Sequence, residues 1–189
     1  METVIFFMRH GQVHNPGSIL YGRMPRFKLS REGKDSVKRQ ISYLKKMKID
    51  LIYASPMLRT RQTAGIISQG LGIKFKVSSL LNEVKLIFEG MPLSEYKEKI
   101  QPGLYAQRYY MKGQESVKTI TMRMTKFLKM IERKHAGKRI LIISHGDPIV
   151  ILRSAVKGEN FDWKYKKENY LKTASITSLR IKDGRYYWK

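Results

Sequence analysis

Short apolar runs alternate with helix-period segments along this chain, and that alternation limits its possible folds more than any other feature. The apolar runs have the length of buried strands and occupy residues 3–8, 51–54, 75–77 and 140–143. Apolar residues in the segment after the first run recur every three or four positions, as on one face of a helix: Val37, Ile41, Leu44 and Met47. This alternation predicts an α/β fold, a three-layer α/β/α sandwich with a mostly parallel central sheet.

Local sequence also predicts where some elements begin and end. Ser30 favours a helix N-cap, and both Ser55-Pro56 and Asp147-Pro148 favour an N-cap followed by the first helical residue. Residues 78–113 are irregular and rich in Gly and Pro, with one short helix expected near 94–100. We expect one domain over residues 1–189, with residues 78–113 as a lid over the site.

Composition excludes several kinds of protein. The chain has no cysteine, which excludes disulfides, thiolate metal sites and a cysteine nucleophile. No apolar run approaches the roughly 18 residues of a membrane span. The first ten residues lack the order of a signal peptide, so the expected location is the cytoplasm.

The 189-residue chain carries 38 Lys and Arg against 15 Asp and Glu, a net charge of +23. Such an excess favours acidic partners such as nucleic acid or phosphorylated molecules. The lysines are scattered, however, so only non-specific attraction to nucleic acid is expected. Residues 163–167 interleave aromatic and basic side chains, which fits either a single-strand binder or an amphipathic surface helix.

Two histidines, His10 and His145, each follow a predicted strand and precede a glycine. Ligands of open α/β sheets bind at the carboxyl ends of the strands, so both imidazoles are expected at one edge. The glycines are expected to let a ligand or the facing histidine approach the backbone. Arg9 and Arg59 join this edge, and two histidines with two arginines describe an anion site, with phosphate the obvious anion. A metal site would need a third ligand, and a fixed cation at its mouth would repel the metal.

Four short motifs, in the same order along the chain, resemble those of the histidine phosphatase superfamily, which has the phosphoglycerate-mutase-like fold. They are Arg9-His10-Gly11-Gln12, Ser55-Pro56 with Arg59 and Gln62-Thr63-Ala64, Leu81-Asn82-Glu83 with Glu89-Gly90, and Ile143-Ser144-His145-Gly146. Residues 113–116 and Arg123 also resemble the helix start that precedes the last motif in that family. The resemblance covers residues 8–178 and is closest to the phosphatase-type branch 1.

The resemblance implies a metal-independent phosphomonoesterase that forms a phosphohistidine intermediate and uses no cofactor. His10 would attack phosphorus, and Glu83 would protonate the leaving oxygen, with Glu89 as the alternative acid. Burial and the bound phosphate are expected to raise the pKa of Glu83. The equatorial phosphoryl oxygens would be bound by three side chains: Arg9, Arg59 and His145. Further contacts to a small phosphorylated substrate are expected from five residues: Gly11, Gln12, Asn15, Arg23 and Gly146.

Two other functions stay open at this point. One is a cofactor-dependent phosphoglycerate mutase, although the segment after Glu83 is shorter than in mutases and differs in sequence. The other is a basic phosphate- or nucleic-acid-binding protein on an inactive phosphatase fold, against which the complete set of site residues argues. The sequence implies no membrane partner and leaves the oligomeric state open, with a dimer among the options.

Overall fold

The computed structural model describes residues 2–189. The four apolar runs form four strands of one central sheet, and two segments near the end of the chain add two more. The strands are β1 (Thr3–Arg9), β2 (Leu51–Ala54), β3 (Phe75–Val77), β4 (Arg139–Ser144), β5 (Ile176–Lys182) and β6 (Arg185–Trp188). Their order across the sheet is β3-β2-β4-β1-β5-β6. The first four strands in that order are parallel, and β5 and β6 add an antiparallel edge. The mostly parallel sheet predicted from the sequence is confirmed.

Helices cover both faces of this sheet. They are α1 (Arg31–Lys46), α2 (Leu58–Leu71), α3 (Leu93–Glu95), α4 (Gln107–Tyr110), α5 (Val117–Lys134), α6 (Gly146–Lys157) and α7 (Trp163–Asn169). Strand β1 shows how the core divides, because successive strand residues point to opposite faces. Ile5 and Phe7 pack in the cluster of α5 and α6, whereas Phe6 and Met8 pack in the cluster of α1 and α2. The three-layer sandwich is therefore confirmed.

Helix starts follow the sequence prediction in one case and depart from it in two. Ser30 caps α1, and its Oγ accepts a hydrogen bond from the Gly33 amide at 2.9 Å. The prediction for Ser55-Pro56 is wrong, because α2 begins at Leu58 with Met57 as its N-cap. The prediction for Asp147-Pro148 is also wrong, because α6 begins at Gly146. The Ser55 hydroxyl instead bonds His145, and the Asp147 carboxylate bonds Lys166, so neither side chain caps its helix.

The segment predicted as a lid contains more helix than its sequence indicated. After α3 it continues as a π-helical turn (Tyr96–Ile100) and a 3-10 turn (Gln101–Gly103) before α4. Backbone hydrogen bonds tie this segment to the loop after β1, from Leu20 N to Met91 O at 2.8 Å and from Leu93 N to Ser18 O at 2.7 Å. Its action as a lid stays a prediction. Within residues 2–189, no helix has both the length and the apolar character needed to cross a bilayer.

Candidate active site

The register of β1 against β4 places the two histidines of the sequence prediction side by side. Arg9 lies opposite Ser144, and the His10 amide donates to the Ser144 carbonyl at 3.1 Å. The imidazole centroids of His10 and His145 are 5.3 Å apart, and both rings are buried. The carboxyl ends of two neighbouring strands thus bring both residues to one point.

Arg59 connects the two imidazoles. It lies in the first turn of α2 and is only 1% exposed. Its Nε donates to His10 Nε2 at 3.2 Å, and its Nη2 lies 3.1 Å from His145 Nδ1. Nη2 also donates to the Gly22 carbonyl at 2.8 Å, and the Tyr21 ring lies 4.9 Å from the guanidinium carbon. When a phosphoryl group binds, the N–H groups of Arg59 can donate to its oxygens in place of the imidazole nitrogens. These charge-assisted hydrogen bonds are stronger.

The hydrogen bonds of His10 fix its tautomer. Its Nδ1 lies 2.8 Å from the Gly11 carbonyl oxygen, which can only accept, so Nδ1 carries the proton. Nε2 therefore presents its lone pair towards Arg59. Burial, followed by the positive charges of Arg59 and Arg9, holds the pKa of His10 well below its usual range. His10 is thus a neutral imidazole with an available nucleophilic nitrogen.

His145 has the opposite arrangement of ring nitrogens. Its Nε2 lies 2.9 Å from Ser55 Oγ, which in turn donates to Asn82 Oδ1 at 3.2 Å. The Ser55 hydroxyl therefore accepts from Nε2, and Nδ1 faces Arg59 and Glu83. Burial, then the positive charge of Arg59, hold the pKa of His145 well below its usual range. A phosphate dianion between these groups would offset that repulsion and favour a proton on Nδ1.

Glu83 directs one carboxylate oxygen into this cluster. Its Oε2 lies 3.6 Å from His145 Nδ1 and 3.9 Å from Arg59 Nη2, while Oε1 accepts from the Val84 amide at 2.9 Å. Burial and the nearby charge of Asp147 raise the pKa of Glu83, although Arg59 opposes them. The direction agrees with the requirement that a general acid be protonated before the reaction.

Two arginines hold the backbone of Glu83 in place. Arg23 Nε donates to the Glu83 carbonyl at 2.7 Å, and Arg123 Nη2 approaches the same oxygen at 3.5 Å. The Glu115 carboxylate pairs with both, at 3.0 Å from Arg23 and 2.7 Å from Arg123. Arg23, predicted as a substrate contact, thus has its Nε and Nη2 bound to protein groups and acts as a positioning residue for Glu83.

Arg9 lies at the mouth of the site. Its Nη1 donates to the Leu171 carbonyl at 2.7 Å, and its guanidinium carbon lies 4.8 Å from the centre of the Tyr170 ring. Its Nε is buried and finds no hydrogen-bond acceptor among the residues that the structure describes. A buried donor of this kind calls for an acceptor, and a phosphoryl oxygen would supply one.

Gly11 and Gly146, which follow the two histidines, make room for protein atoms. The sequence analysis expected them to make room for a ligand or the facing histidine, and that reason was wrong. A Cβ on Gly11 would lie 2.7 Å from the Gly33 carbonyl oxygen at the start of α1. A Cβ on Gly146 would lie 2.4 Å from the Tyr170 hydroxyl. Each glycine therefore lets another part of the chain approach closely. The Gly11 amide is bound to Thr63 Oγ1 at 3.1 Å.

The remaining predicted contacts lie further from the imidazoles or have protein partners. Asn15 bonds the Ile19 backbone through both its amide nitrogen and its amide oxygen, at 2.8 and 3.3 Å, and so shapes the loop after β1. Gln12 has an exposed side chain. The alternative acid Glu89 accepts from the Arg23 amide at 2.6 Å, so its carboxylate holds the same loop.

A cavity of about 240 Å³ opens beside this cluster, and Arg9 and Glu83 form part of its wall. An ion pair also lines this cavity, with Lys166 Nζ 2.7 Å from Asp147 Oδ2. Sequence reasoning missed Lys166 and Tyr170 as site residues and took Asp147 only as a helix cap. Lys166 lies three residues after Trp163, on the inner face of α7, and a lysine on the apolar face of a helix was the available signal.

The described residues 2–189 hold no group of three His, Cys, Asp or Glu side chains arranged to bind a metal ion. The fold brings four side chains together at one edge of the sheet, the paired imidazoles of His10 and His145 and the guanidinium groups of Arg9 and Arg59. The family model of the histidine phosphatase superfamily, branch 1, matches residues 5–189. The chain belongs to that superfamily, as its motifs indicated.

Individual relatives agree with this assignment. An uncharacterized protein of Mycobacterium tuberculosis, Rv0525, is 30% identical over 194 residues, covering 97% of this chain and 92% of that protein. Phosphoserine phosphatase 1 of Hydrogenobacter thermophilus is 24% identical, covering 83% of this chain and 76% of that protein. The solved structure of mycobacterial glucosyl-3-phosphoglycerate phosphatase superposes with a TM-score of 0.81 at 19% identity, covering 98% of this chain and 96% of that one.

Proposed function

We propose that this histidine phosphatase hydrolyses small phosphomonoesters without a metal, through a phosphohistidine on His10. One observation carries the proposal: a neutral His10 has its Nε2 lone pair beside the Arg59 guanidinium, 3.2 Å away. Nucleophile and anion-binding group are therefore held together before substrate arrives, which is where positioning and electrostatics act in phosphoryl transfer.

The proposed reaction has two steps. In the first, His10 Nε2 forms a bond to phosphorus while the ester P–O bond breaks, and Glu83 gives its proton to the leaving oxygen. In the second, water attacks phosphorus, Glu83 takes a proton from that water, and the N–P bond breaks to release inorganic phosphate. Through both steps Arg9, Arg59 and His145 stabilise the charge on the equatorial oxygens.

Relatives support small phosphorylated metabolites as substrates. Two of the proteins compared above are named for phosphatase activity on phosphoserine and on glucosyl-3-phosphoglycerate. The alternative of nucleic-acid binding through residues 163–167 loses support, because Lys166 is 4% exposed and paired with Asp147. The amphipathic interpretation of that segment fits this placement better. A cytoplasmic location stays a prediction, and the oligomeric state stays open.

The test is a panel of phosphorylated metabolites assayed with EDTA present, following free phosphate and isomer formation together. We expect phosphate release from several monoesters and acid-labile, base-stable phosphate on His10. The His10→Ala variant should lose both, because it lacks the attacking nitrogen. His14→Ala is the matched control, since His14 is an exposed loop residue and should keep full activity.

Two results would contradict the proposal. Substantial activity in His10→Ala would exclude His10 as the nucleophile. Efficient interconversion of 2- and 3-phosphoglycerate in the presence of bisphosphoglycerate, with negligible phosphate release, would identify a mutase instead.

A further inference from the structure

The cavity beside the imidazoles is lined by Arg9 and Glu83 and also by the ion pair of Asp147 and Lys166. A phosphomonoester whose phosphoryl group lies at Arg9 and whose leaving oxygen lies at Glu83 would therefore place its leaving group in the same cavity as Asp147. This inference rests on the function proposed above and concerns the substrate class.

The other residues that line the cavity are mostly apolar or aromatic. They include Leu20, Tyr21, Val84, Leu86, Leu93 and Tyr96, with Lys97 and Gln101 as polar exceptions. The apolar part of this surface suits the carbon skeleton of a leaving group. The cavity volume of about 240 Å³ suits a compact leaving group.

Asp147 is held rigidly and retains capacity to accept hydrogen bonds. Lys166 Nζ donates to its Oδ2 at 2.7 Å, and the Tyr105 hydroxyl donates to the same oxygen at 2.6 Å. The Tyr170 hydroxyl also interacts with this carboxylate. A carboxylate has about four acceptor positions, so these three donors leave one for a further donor. Lys166 is itself packed near the Tyr105 and Tyr170 rings, at 5.8 and 5.3 Å, and is therefore fixed.

The charges around Asp147 keep it ionised. Burial alone would raise its pKa, but the Lys166 ammonium and the hydroxyls of Tyr105 and Tyr170 outweigh burial and lower the pKa of Asp147. An ionised carboxylate in a partly apolar cavity accepts hydrogen bonds and cannot donate them. Groups that donate, such as hydroxyl and ammonium, fit this wall, whereas a carboxylate on the leaving group would face Asp147 as a like charge.

We propose that Asp147, held by Lys166, accepts a hydrogen bond from a hydroxyl or ammonium group on the leaving alcohol. The preferred substrates are then monoesters of compact alcohols that carry a second hydrogen-bond donor at the end remote from phosphate. Asp147 acts here as a specificity residue, and Lys166 acts through it as a positioning residue.

Matched esters that differ only at the remote end test this proposal. The set is propyl phosphate, 3-hydroxypropyl phosphate, 3-aminopropyl phosphate and 2-carboxyethyl phosphate, with p-nitrophenyl phosphate as a general substrate and adenosine monophosphate as a size probe. The measurement is kcat/KM for each ester with wild type, Asp147→Asn, and Lys167→Met. Lys167 lies next to Lys166 on α7 with an exposed side chain and is the control.

We expect wild type and Lys167→Met to prefer the hydroxyl or amino ester over propyl phosphate by about 10-fold, the effect of one hydrogen bond to a charged group. Comparing 3-hydroxypropyl with 3-aminopropyl phosphate shows whether a hydroxyl or an ammonium group is the preferred donor. Asp147→Asn keeps the size of the side chain but removes its charge, so the ratio of aminopropyl to propyl phosphate should fall towards one. Asp147→Asn leaves the buried Lys166 ammonium without its anion. The ratio is therefore measured again in the double variant Asp147→Asn/Lys166→Met, in which neutral groups replace the ion pair.

Three outcomes would overturn this specificity while leaving the phosphatase proposal intact. The first is a ratio of aminopropyl to propyl phosphate near one in wild type, and the second is a ratio that does not change in either Asp147 variant. The third is a preference of the wild type for the carboxyethyl ester or for adenosine monophosphate. In each case p-nitrophenyl phosphate would still be hydrolysed in a His10-dependent way. Absence of phosphate release from every ester in wild type would overturn both proposals together.

Discussion

At the residue scale, His10 and His145 show how neighbours assign different tasks to the same side chain. The carbonyl bonded to His10 Nδ1 leaves Nε2 with its lone pair, whereas the Ser55 hydroxyl bonded to His145 Nε2 turns Nδ1 to the site. One ring therefore presents a nucleophile, and the other presents a nitrogen that can take up a proton beside bound phosphate. Burial, followed by the charge of their shared neighbour Arg59, holds both pKa values low.

The Glu83→Gln variant separates proton donation from phosphate binding. Glutamine keeps the size of the side chain but cannot donate the proton, so activity on an alkyl phosphate should fall by about 10²- to 10⁴-fold. The loss on p-nitrophenyl phosphate should be smaller, because its leaving group departs readily as an anion. Glu89→Gln is the matched control, and steady-state kinetics on both esters make the comparison. Equal losses on the two esters would move the acid role to Glu89.

The Glu83→Gln variant also tests how activity depends on pH. The pKa of Glu83 lies above its ordinary value because of burial and Asp147, and the protonated form is the active one. Wild-type activity on the alkyl ester should therefore fall as pH rises through that raised pKa. In Glu83→Gln this alkaline decline should disappear.

Much of the site could be predicted from residue order alone, and the limits have physical causes. His10, His145 and Arg59 were predicted together because strand ends and helix starts place them at one edge. Lys166 was missed because its role depends on Asp147, nineteen positions earlier, and no local pattern links the two. Arg23 was predicted as a substrate contact, and that role stays a prediction. Its bonds to the Glu83 carbonyl and the Glu115 carboxylate were not predicted, because no local pattern links these residues.

At the scale of elements, the packing of α1 against the end of β1 determines where His10 lies. A Cβ on Gly33, in the first turn of α1, would lie 2.1 Å from the Gln12 carbonyl oxygen, which is backbone and cannot rotate away. The Ser30 amide donates to that same carbonyl at 2.9 Å. The helix start and the loop after His10 are thus in direct backbone contact.

The Gly33→Ala variant should disturb this contact. Overpacking typically costs 1–3 kcal/mol, so the free energy of unfolding should fall by about that amount, and kcat should fall as His10 moves. Gly65→Ala is the matched control within α2, where a Cβ meets no atom within 4 Å. That change should instead stabilise the helix, by up to about 1 kcal/mol. Urea unfolding and phosphate release measure both effects; an unchanged Gly33→Ala protein would show that this contact does not hold the site.

Element boundaries were less predictable than element types. The strands at the end of the chain and the long helix α5 follow their apolar patterns. Ser55 and Asp147 have the side chains of good N-caps, but each binds a partner from a distant segment, His145 and Lys166 respectively. Tertiary contacts of this kind override local capping preferences. The start of α2 lies two residues later than predicted, and the start of α6 lies two residues earlier.

At the scale of the whole molecule, the buried imidazoles connect the site to stability. Burial and the neighbouring arginines lower the pKa of His10 and of His145 in the folded chain. The unfolded chain takes up protons on these residues near the ordinary value of ~6.5. As pH falls below that value the unfolded state binds more protons, so the free energy of unfolding falls. The loss continues until pH reaches the lowered pKa of each histidine.

Urea unfolding between pH 5 and 8 measures this effect. Below about pH 6.5 each buried histidine should contribute a loss of up to about 1.4 kcal/mol per pH unit. The double variant His10→Asn/His145→Asn should show a shallower acid slope than wild type, whatever its stability at pH 8. His14→Asn, an exposed control, should keep the wild-type slope. Identical slopes in wild type and the double variant would mean that other groups govern acid sensitivity.

The acceptor that orients His10 is a main-chain carbonyl, that of Gly11. In a serine-protease triad, by contrast, the imidazole is oriented by a separate aspartate, and one substitution there leaves the wrong tautomer. Here no replacement of another side chain can delete the acceptor atom, because every amino acid carries that carbonyl. The protonation pattern of the nucleophile is therefore insulated from point mutation elsewhere, and evolving relatives can change the surrounding pocket freely while this feature is inherited with the backbone.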